Sequence, residues 1–193
     1  MDYSSGRPAD RGRFIVISSP SGGGKSTIIK RLLEKDKNLT YSVSATTRPP
    51  RGDERNGEAY WFLSREEFIE KRDHGDLLEW EEVYGDFYGT PKKFTEVAVT
   101  AGLDVLFDLD VKGALKLKQS YPDALLIFLM PPSLKVLERR LQQRGTEDNS
   151  QLQRRLTEAK IECEQASKFD YVVVNDNLEE TVSKIEQIIR SST

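Results

Sequence analysis

The sequence predicts an α/β fold: a parallel sheet core with helices on both faces, a small inserted lobe that is mainly β, and a helical lid. Three observations carry that expectation. Four short apolar runs, Phe14–Ile17, Val105–Leu109, Leu125–Met130 and Tyr171–Val174, have the length and the β-branched or aromatic content of buried strands. Amphipathic helical patterns alternate with them, as the crossovers of a parallel sheet require. A glycine-rich turn, Ser18-Ser-Pro-Ser-Gly-Gly-Gly-Lys-Ser-Thr27, follows the first run directly and opens a helix.

In chain order, residues 1–12 are polar, with glycine, proline, serine and charges, and are expected to form a flexible tail. After the glycine-rich turn, Ile28, Ile29, Leu32 and Leu33 share one helical face. Residues 44–90 break the core pattern. They are polar and aromatic (Tyr60-Trp-Phe62, Trp80, Tyr84, Phe87, Tyr88), and Ser64-Arg-Glu-Glu67 reads as a capping box opening a short helix. Leu134, Leu137 and Leu141 form a further stripe, begun by Ser133 as N-cap and stopped by Gly145. Residues 139–160 are dense in arginine (Arg139, Arg140, Arg144, Arg154, Arg155) around a polar turn, as in a mobile lid. Val182, Ile185, Ile188 and Ile189 mark the last helix. The expected organisation is a tail 1–12, a core of 13–43, 91–138 and 161–193, an inserted lobe 44–90 and a lid 139–160.

The glycine-rich turn has the strand–loop–helix context of a phosphate-binding P-loop. Gly22, Gly23 and Gly24 free the backbone so that its N–H groups can converge on phosphate oxygens. With Ser21 and Thr27 at the two ends of this cradle, the helix start adds unsatisfied N–H groups and a partial positive charge. Lys25 supplies a point charge for the β- and γ-phosphates, and the Ser26 hydroxyl is the expected magnesium ligand. Ser19 stands where the general pattern has its first glycine, which requires that position to keep φ negative. The competing reading is an ordinary glycine-rich turn that caps a helix at Ser21 or Ser26. The spacing favours binding of a nucleoside triphosphate.

Composition narrows the possibilities. The chain has 193 residues, enough for one compact domain with small inserted lobes. Its 29 Lys and Arg against 32 Asp and Glu mark neither a nucleic-acid nor a membrane surface. With one cysteine no intramolecular disulfide can form; Cys163 falls in register with Leu152, Leu156 and Ala159, as a buried, inert thiol would. The lone histidine, His74, lies in a charged stretch and reads as a solvated helix end, so no protein-built transition-metal site is expected. No apolar run is long enough to span a membrane and residues 1–13 lack a signal-peptide core, so a cytoplasmic location is the default.

The second substrate is written in the inserted lobe. A GTPase would need an N-K-x-D motif, which Val174-Asn-Asp-Asn177 does not match. Arg48 and Arg51 flank a stiff Pro-Pro pair with Tyr60 nearby, a set suited to a phosphate monoester. Thr46, Thr47, Arg48, Arg51, Glu54, Gly57 and Tyr60 fill the signature of the guanylate kinases, which this chain therefore resembles. The resemblance continues through Leu78-Glu-Trp80, Gly85–Thr90, Asp108–Gly113, Arg140–Thr146 and Val174-Asn-Asp176, nearly the whole chain from about residue 13.

That resemblance implies that Arg48, Arg51, Tyr60 and Tyr88 hold the GMP phosphate and that Ser44, Glu79 and Thr90 read the guanine. Chemistry agrees: guanine presents N1–H and an amine side by side, and one carboxylate accepts both. Adenine lacks that donor pair, so such a site can reject it roughly 10⁴-fold. Thr90, before Pro91, can equally be a helix N-cap, and Glu79 a surface charge. Of Asp108 and Asp110, the resemblance puts one toward magnesium or the phosphate-binding arginines and the other toward guanine, and the sequence does not apportion them. It assigns Asn175 to the adenine pocket, where a turn role competes, and Arg140, Arg144 and Arg155 to charge neutralisation from the lid.

The implied substrates are ATP, taken with Mg²⁺, and GMP, with the oligomeric state left open. Three rivals compete. Another nucleoside monophosphate kinase is opposed by Glu79 with Ser44. A non-catalytic scaffold module predicts a damaged P-loop, whereas Gly24-Lys25-Ser26 is intact. A simple ATPase predicts hydrolysis without GMP.

Overall fold

The computed structural model describes residues 11–83, 85–143 and 149–192. These contain nine strands and seven α-helices in the order β1 (Phe14–Ser18), α1 (Lys25–Lys35), β2 (Leu39–Tyr41), β3 (Ala45–Thr46), β4 (Trp61–Phe62), α2 (Arg65–Asp73), β5 (Leu77–Val83), β6 (Asp86–Pro91), α3 (Lys92–Thr100), β7 (Asp104–Asp108), α4 (Val111–Ser120), β8 (Leu125–Met130), α5 (Leu134–Gln143), α6 (Asn149–Glu164), β9 (Tyr171–Val174) and α7 (Leu178–Ser191). Of the expected tail, residues 1–10 lie outside the described residues, while Gly12 is buried and donates its N–H to the Val99 carbonyl at 2.9 Å.

The four apolar runs form the core of a five-stranded sheet ordered β2-β7-β1-β8-β9. Strand β1 pairs parallel with β8, β8 with β9, and β2 with β7. All five residues of β1 are buried, and in β8 every residue but Met130 is, so these strands read as continuous apolar runs. The chain leaves β1 toward one side and later returns on the other, which makes the carboxyl end of β1 a topological switch point. The glycine-rich turn starts there.

Two strand expectations need correction. Strand β2 was not visible in the sequence, because Leu39-Thr-Tyr41 is too short and polar to stand out. Strand β9 is at the sheet edge: Val173 is buried, but Tyr171, Val172 and Val174 are exposed. An edge strand needs less apolar cover than an interior one, so its valines do not imply burial.

A second, mixed sheet is ordered β4-β3-β6-β5. Strands β3 and β4 run parallel, whereas β6 is antiparallel to both β3 and β5. Helix α2 carries the capping box: the Ser64 hydroxyl accepts from the Glu67 N–H at 3.1 Å and Glu67 Oε2 accepts from the Ser64 N–H at 2.7 Å. His74 caps the other end, exposed, with Nδ1 at 2.8 Å from the Glu70 carbonyl.

The chain divides into two compact units, residues 1–14 with 38–106, and residues 15–37 with 107–193. The first has its own core of Ala45, Phe68 and Phe87, with Leu63, Ile69 and Leu77 packed around it. In the second, Leu137 and Leu141 of α5 pack on Leu152 and Ala159 of α6, with Leu156 alongside. The Ser133 hydroxyl accepts from the Val136 N–H at 3.2 Å and starts α5, while Gly145 lies outside the described residues. Cys163 is half-buried rather than buried, and its burial still pushes the thiol above its ordinary pKa.

The Phe68 ring is fully buried and stacks on Phe87 at 5.3 Å between centroids. Phe68→Ala is expected to destabilise the unit by about 3–5 kcal/mol through lost burial and an unfilled cavity. Both tryptophans, Trp61 and Trp80, lie in this unit, so urea unfolding followed by tryptophan fluorescence reads the loss directly. A shift smaller than about 1 kcal/mol would show that Phe68 is not the anchor of this core.

Candidate functional site

The glycine-rich loop is built within the second unit. Gly22 and Gly24 have φ of 83° and 92°, the left-handed region that favours glycine. Gly23 is required for a different reason: a Cβ there would fall 2.5 Å from the Ser19 hydroxyl. Ser19 therefore occupies the space that Gly23 leaves empty, with its hydroxyl 3.0 Å from the Pro20 carbonyl. This is how the loop accommodates a serine where the general motif has glycine.

Helix α1 starts at Lys25 with Gly24 as its N-cap, and neither Ser21 nor Ser26 is the capping residue. No side chain caps it and its first turn carries no acid. Helices α2, α4 and α7 have side-chain caps, from Ser64, Asp110 and Asn177, while α3, opened by Pro91, has none either; what α1 adds is the glycine-rich loop before it. The partial positive end of α1 is thus left for an anion. Ser26 and Thr27 are exposed in that first turn, and Ser21 is exposed on the loop.

Lys25 is partly buried, with Nζ 3.3 Å from the Ser19 carbonyl and 3.5 Å from Asp108 Oδ1. Asp108 closes β7, but Asp110 lies beyond the strand as the N-cap of α4, accepting the Gly113 N–H at 2.7 Å. The two acids expected at one strand end thus have different surroundings. Asn175 is buried, and its side-chain amide donates to the Gly23 carbonyl at 2.7 Å. Arg140 donates from Nη2 to the Asn175 carbonyl at 3.3 Å. Arg155 is half-buried on α6, and Arg144 lies outside the described residues.

Glu162, on α6, was missed in the sequence. Burial pushes its carboxyl above the ordinary range, Lys25 and a hydrogen bond from the Ser21 backbone pull the other way, and Asp110 adds to the rise. A lone glutamate among several on an amphipathic helix gives no sequence signal of such a place.

The first unit gathers the other candidates. The Arg48 guanidinium is buried and forms a fork with Glu54, Nη1 to Oε2 at 2.8 Å and Nη2 to Oε1 at 3.0 Å. It also lies 5.1 Å from the Tyr60 ring centroid. The Glu54 hydrogen bonds hold Arg48 well above its ordinary pKa, against the effect of burial, and Tyr88 adds to them. Tyr60 and Tyr88 meet edge to face at 6.1 Å. Glu54 Oε2 further accepts the Arg51 N–H at 2.8 Å, while the Arg51 side chain is exposed. One carboxylate thereby fixes both arginine positions.

Beside this cluster, the Thr90 hydroxyl donates to Glu79 Oε1 at 2.7 Å. Leu77 pairs with Pro91 and Trp80 with Gly89, so Leu78 and Glu79 together oppose Thr90 in a β-bulge. A bulge re-aims its side chains, and this one brings Glu79 onto Thr90. Thr90 belongs to β6 and is not the cap of α3, a position held by Pro91. Tyr88 and Thr90, two apart on one strand, project from the same face. Ser44 is half-buried just before β3, its carbonyl accepting the Trp61 N–H at 2.8 Å.

A glycine-rich loop at the switch point of a parallel sheet, followed by Lys-Ser at an uncapped helix start, defines the chain as a P-loop α/β protein. The family model "Guanylate kinase" matches residues 11–192. The chain is 44% identical over 182 residues to the guanylate kinase of Synechococcus sp. (strain JA-3-3Ab), covering 94% of this chain and 84% of that one. It is 46% identical over 184 residues to that of Agrobacterium fabrum, covering 95% and 84%. The solved guanylate kinase of Anaplasma phagocytophilum superposes with a TM-score of 0.79 at 38% identity, over 94% of this chain and 86% of that one. The chain belongs to the guanylate kinase family, and is thus a nucleoside monophosphate kinase.

The Arg48–Glu54 pair has a pH signature. Hydrogen bonds from Arg48 hold the Glu54 carboxyl below its ordinary value of 4.5. A carboxyl depressed in the folded state stabilises it above the unfolded value and loses that contribution as pH falls through the folded value. Stability should therefore drop more steeply below pH 4.5 in the wild-type protein than in Glu54→Gln, which lacks the titrating group. Urea midpoints measured from pH ~6 to ~3 check this; parallel curves would remove the pair from the acid response.

Proposed function

We propose that this chain transfers the γ-phosphoryl group of MgATP to GMP, or to dGMP, giving ADP and GDP. The observation that carries the reading is the joint presence of an uncapped P-loop helix and an arginine–tyrosine cluster next to a carboxylate–hydroxyl pair. On this reading the loop amides from Ser21 to Thr27, with Lys25, bind the triphosphate. Arg48, Arg51, Tyr60 and Tyr88 bind the GMP phosphate, and Ser44, Glu79 and Thr90 read its base.

Proton bookkeeping on GMP is light. A phosphate monoester has its second pKa near ~6, so its oxygen is largely ionised at neutral pH and needs no strong base. The protein's work is electrostatic: two polyanions must be held in line while charge spreads over the moving group. Lys25, Arg48, Arg140, Arg144 and Arg155 are the side chains proposed for that neutralisation. Residues 139–160 are proposed as a lid and 44–90 as the GMP lobe, which exclude water from the transfer.

Magnesium fits the donor chemistry here. The exposed Ser26 hydroxyl at the helix start is a hard oxygen ligand, and phosphates and water suit the rest of the shell. When bound with ATP, the ion would neutralise charge on the β- and γ-phosphates. Asp108 beside Lys25 is proposed to orient the phosphate-binding groups, and the family resemblance keeps Asp110 among the GMP-binding residues. A cytoplasmic location is proposed, with ATP and GMP as partners and without nucleic acid or membrane; among the described residues no helix is long and apolar enough to cross a membrane.

Glu79 accepts from Thr90 through Oε1, and a carboxylate is the group whose two oxygens match two adjacent guanine donors.

The deciding assay is ADP formation from MgATP with GMP, AMP, UMP, dTMP or no acceptor at equal concentrations. GMP-dependent turnover is expected, and equal rates with no acceptor would point instead to an ATPase. Glu79→Gln should reduce the preference for GMP over AMP by roughly ten- to a hundredfold while the ATP KM stays unchanged. An unaltered preference would remove Glu79 from base recognition.

A further inference from the structure

Asn175 follows β9, and by family resemblance it belongs to the adenine pocket. Its surroundings suggest a different task. The residue is 6% exposed and tied at three points. Its N–H donates to the Met130 carbonyl at 2.8 Å, its carbonyl accepts from Arg140 Nη2 at 3.3 Å, and its side-chain amide donates to the Gly23 carbonyl at 2.7 Å. A Cβ on Gly24 would lie 2.7 Å from the same amide nitrogen, so the loop is built tightly around this side chain.

The peptide between Gly23 and Gly24 is planar, so its carbonyl and the following N–H point in opposite directions. Between two glycines, one of them at φ 92°, little else resists a flip of that peptide. A flipped peptide would present a carbonyl oxygen where a phosphate needs a donor. We propose that Asn175 is a positioning residue of the phosphate loop, whose side-chain amide holds the Gly23 carbonyl and so keeps the Gly24 N–H turned to the opposite, anion-binding side. The inference rests on the P-loop reading above but not on the identity of the acceptor. It also gives Arg140 a structural contact at the loop, through the Asn175 carbonyl.

The test compares wild type, Asn175→Asp and Asn175→Ala by calorimetric titration with inorganic tripolyphosphate and with ATP. Asp keeps the shape but replaces the donor by a carboxylate facing a carbonyl; Ala removes the donor and leaves room for water. Asn175→Asp should weaken both ligands by the same factor, about tenfold or more, and Asn175→Ala should weaken them less. GMP affinity should not move. Weakening confined to ATP would make Asn175 a base reader, and Ala weaker than or equal to Asp would make it a packing residue; either overturns the proposal. Should the variants fold poorly, amide exchange on the wild-type protein decides: the Asn175 side-chain protons should be protected with and without tripolyphosphate, and rapid exchange overturns the lock. A missing GMP-dependent turnover leaves these arms readable, since they need only the loop, whereas wild-type protein that fails to bind tripolyphosphate overturns both readings.

Discussion

A cation that serves a transient anion must be kept in place while the anion is away, without being neutralised so well that it cannot be released. On the proposed function the chain meets this constraint twice, in opposite ways. Lys25 has a loose partner, Asp108 at 3.5 Å, and leans on a backbone carbonyl at 3.3 Å. A compact ammonium on a flexible stem can swing from these contacts at little cost. Arg48 instead sits in a two-pronged fork with Glu54, buried under Tyr60 and Phe62. Its charge is oriented by a planar, bidentate partner, and Nη1 is tied down further by the Pro49 carbonyl at 2.8 Å.

Around these cations the scaffold supplies rigidity in proportion. The loop bearing Lys25 follows an entirely buried strand and enters a helix with Ile28, Ile29 and Leu32 buried. The segment bearing Arg48 has less core beneath it, so local hydrogen bonds carry more of the ordering. The Thr46 hydroxyl accepts the Arg48 N–H at 3.2 Å, and Glu54 accepts the Arg51 N–H. Such loop-on-side-chain bonding substitutes for the sheet ladder where the strands are only two residues long.

The sequence made the large sheet legible because its interior strands are uniformly apolar, and β1, β7 and β8 appeared within a residue of their bounds. Strand β2 escaped because an edge position makes few demands on composition. Lys25 and the glycines were legible because a phosphate cradle depends on backbone freedom at fixed spacing. Ser19 and Gly23 were less so: each looks ordinary alone, and their complementarity exists only in three dimensions. The same holds for Asn175 on Gly23, 152 residues apart, and for the contact of Glu162 with the Ser21 backbone. Long-range pairs of single polar atoms leave no periodicity to read.

The bulge at Leu78 and Glu79 makes strand length itself a carrier of information. Deleting one of these two residues would leave a single residue opposite Thr90 and restore regular pairing with β6, with Leu77 and Trp80 keeping their partners and their face of the sheet. What would be lost is the local turn that brings the Glu79 carboxylate onto the Thr90 hydroxyl. A change of length elsewhere in the strand has no bulge to absorb it and would turn the residues on one side of it to the opposite face. The bulge is thus the one place in β5 where length and side-chain direction are uncoupled.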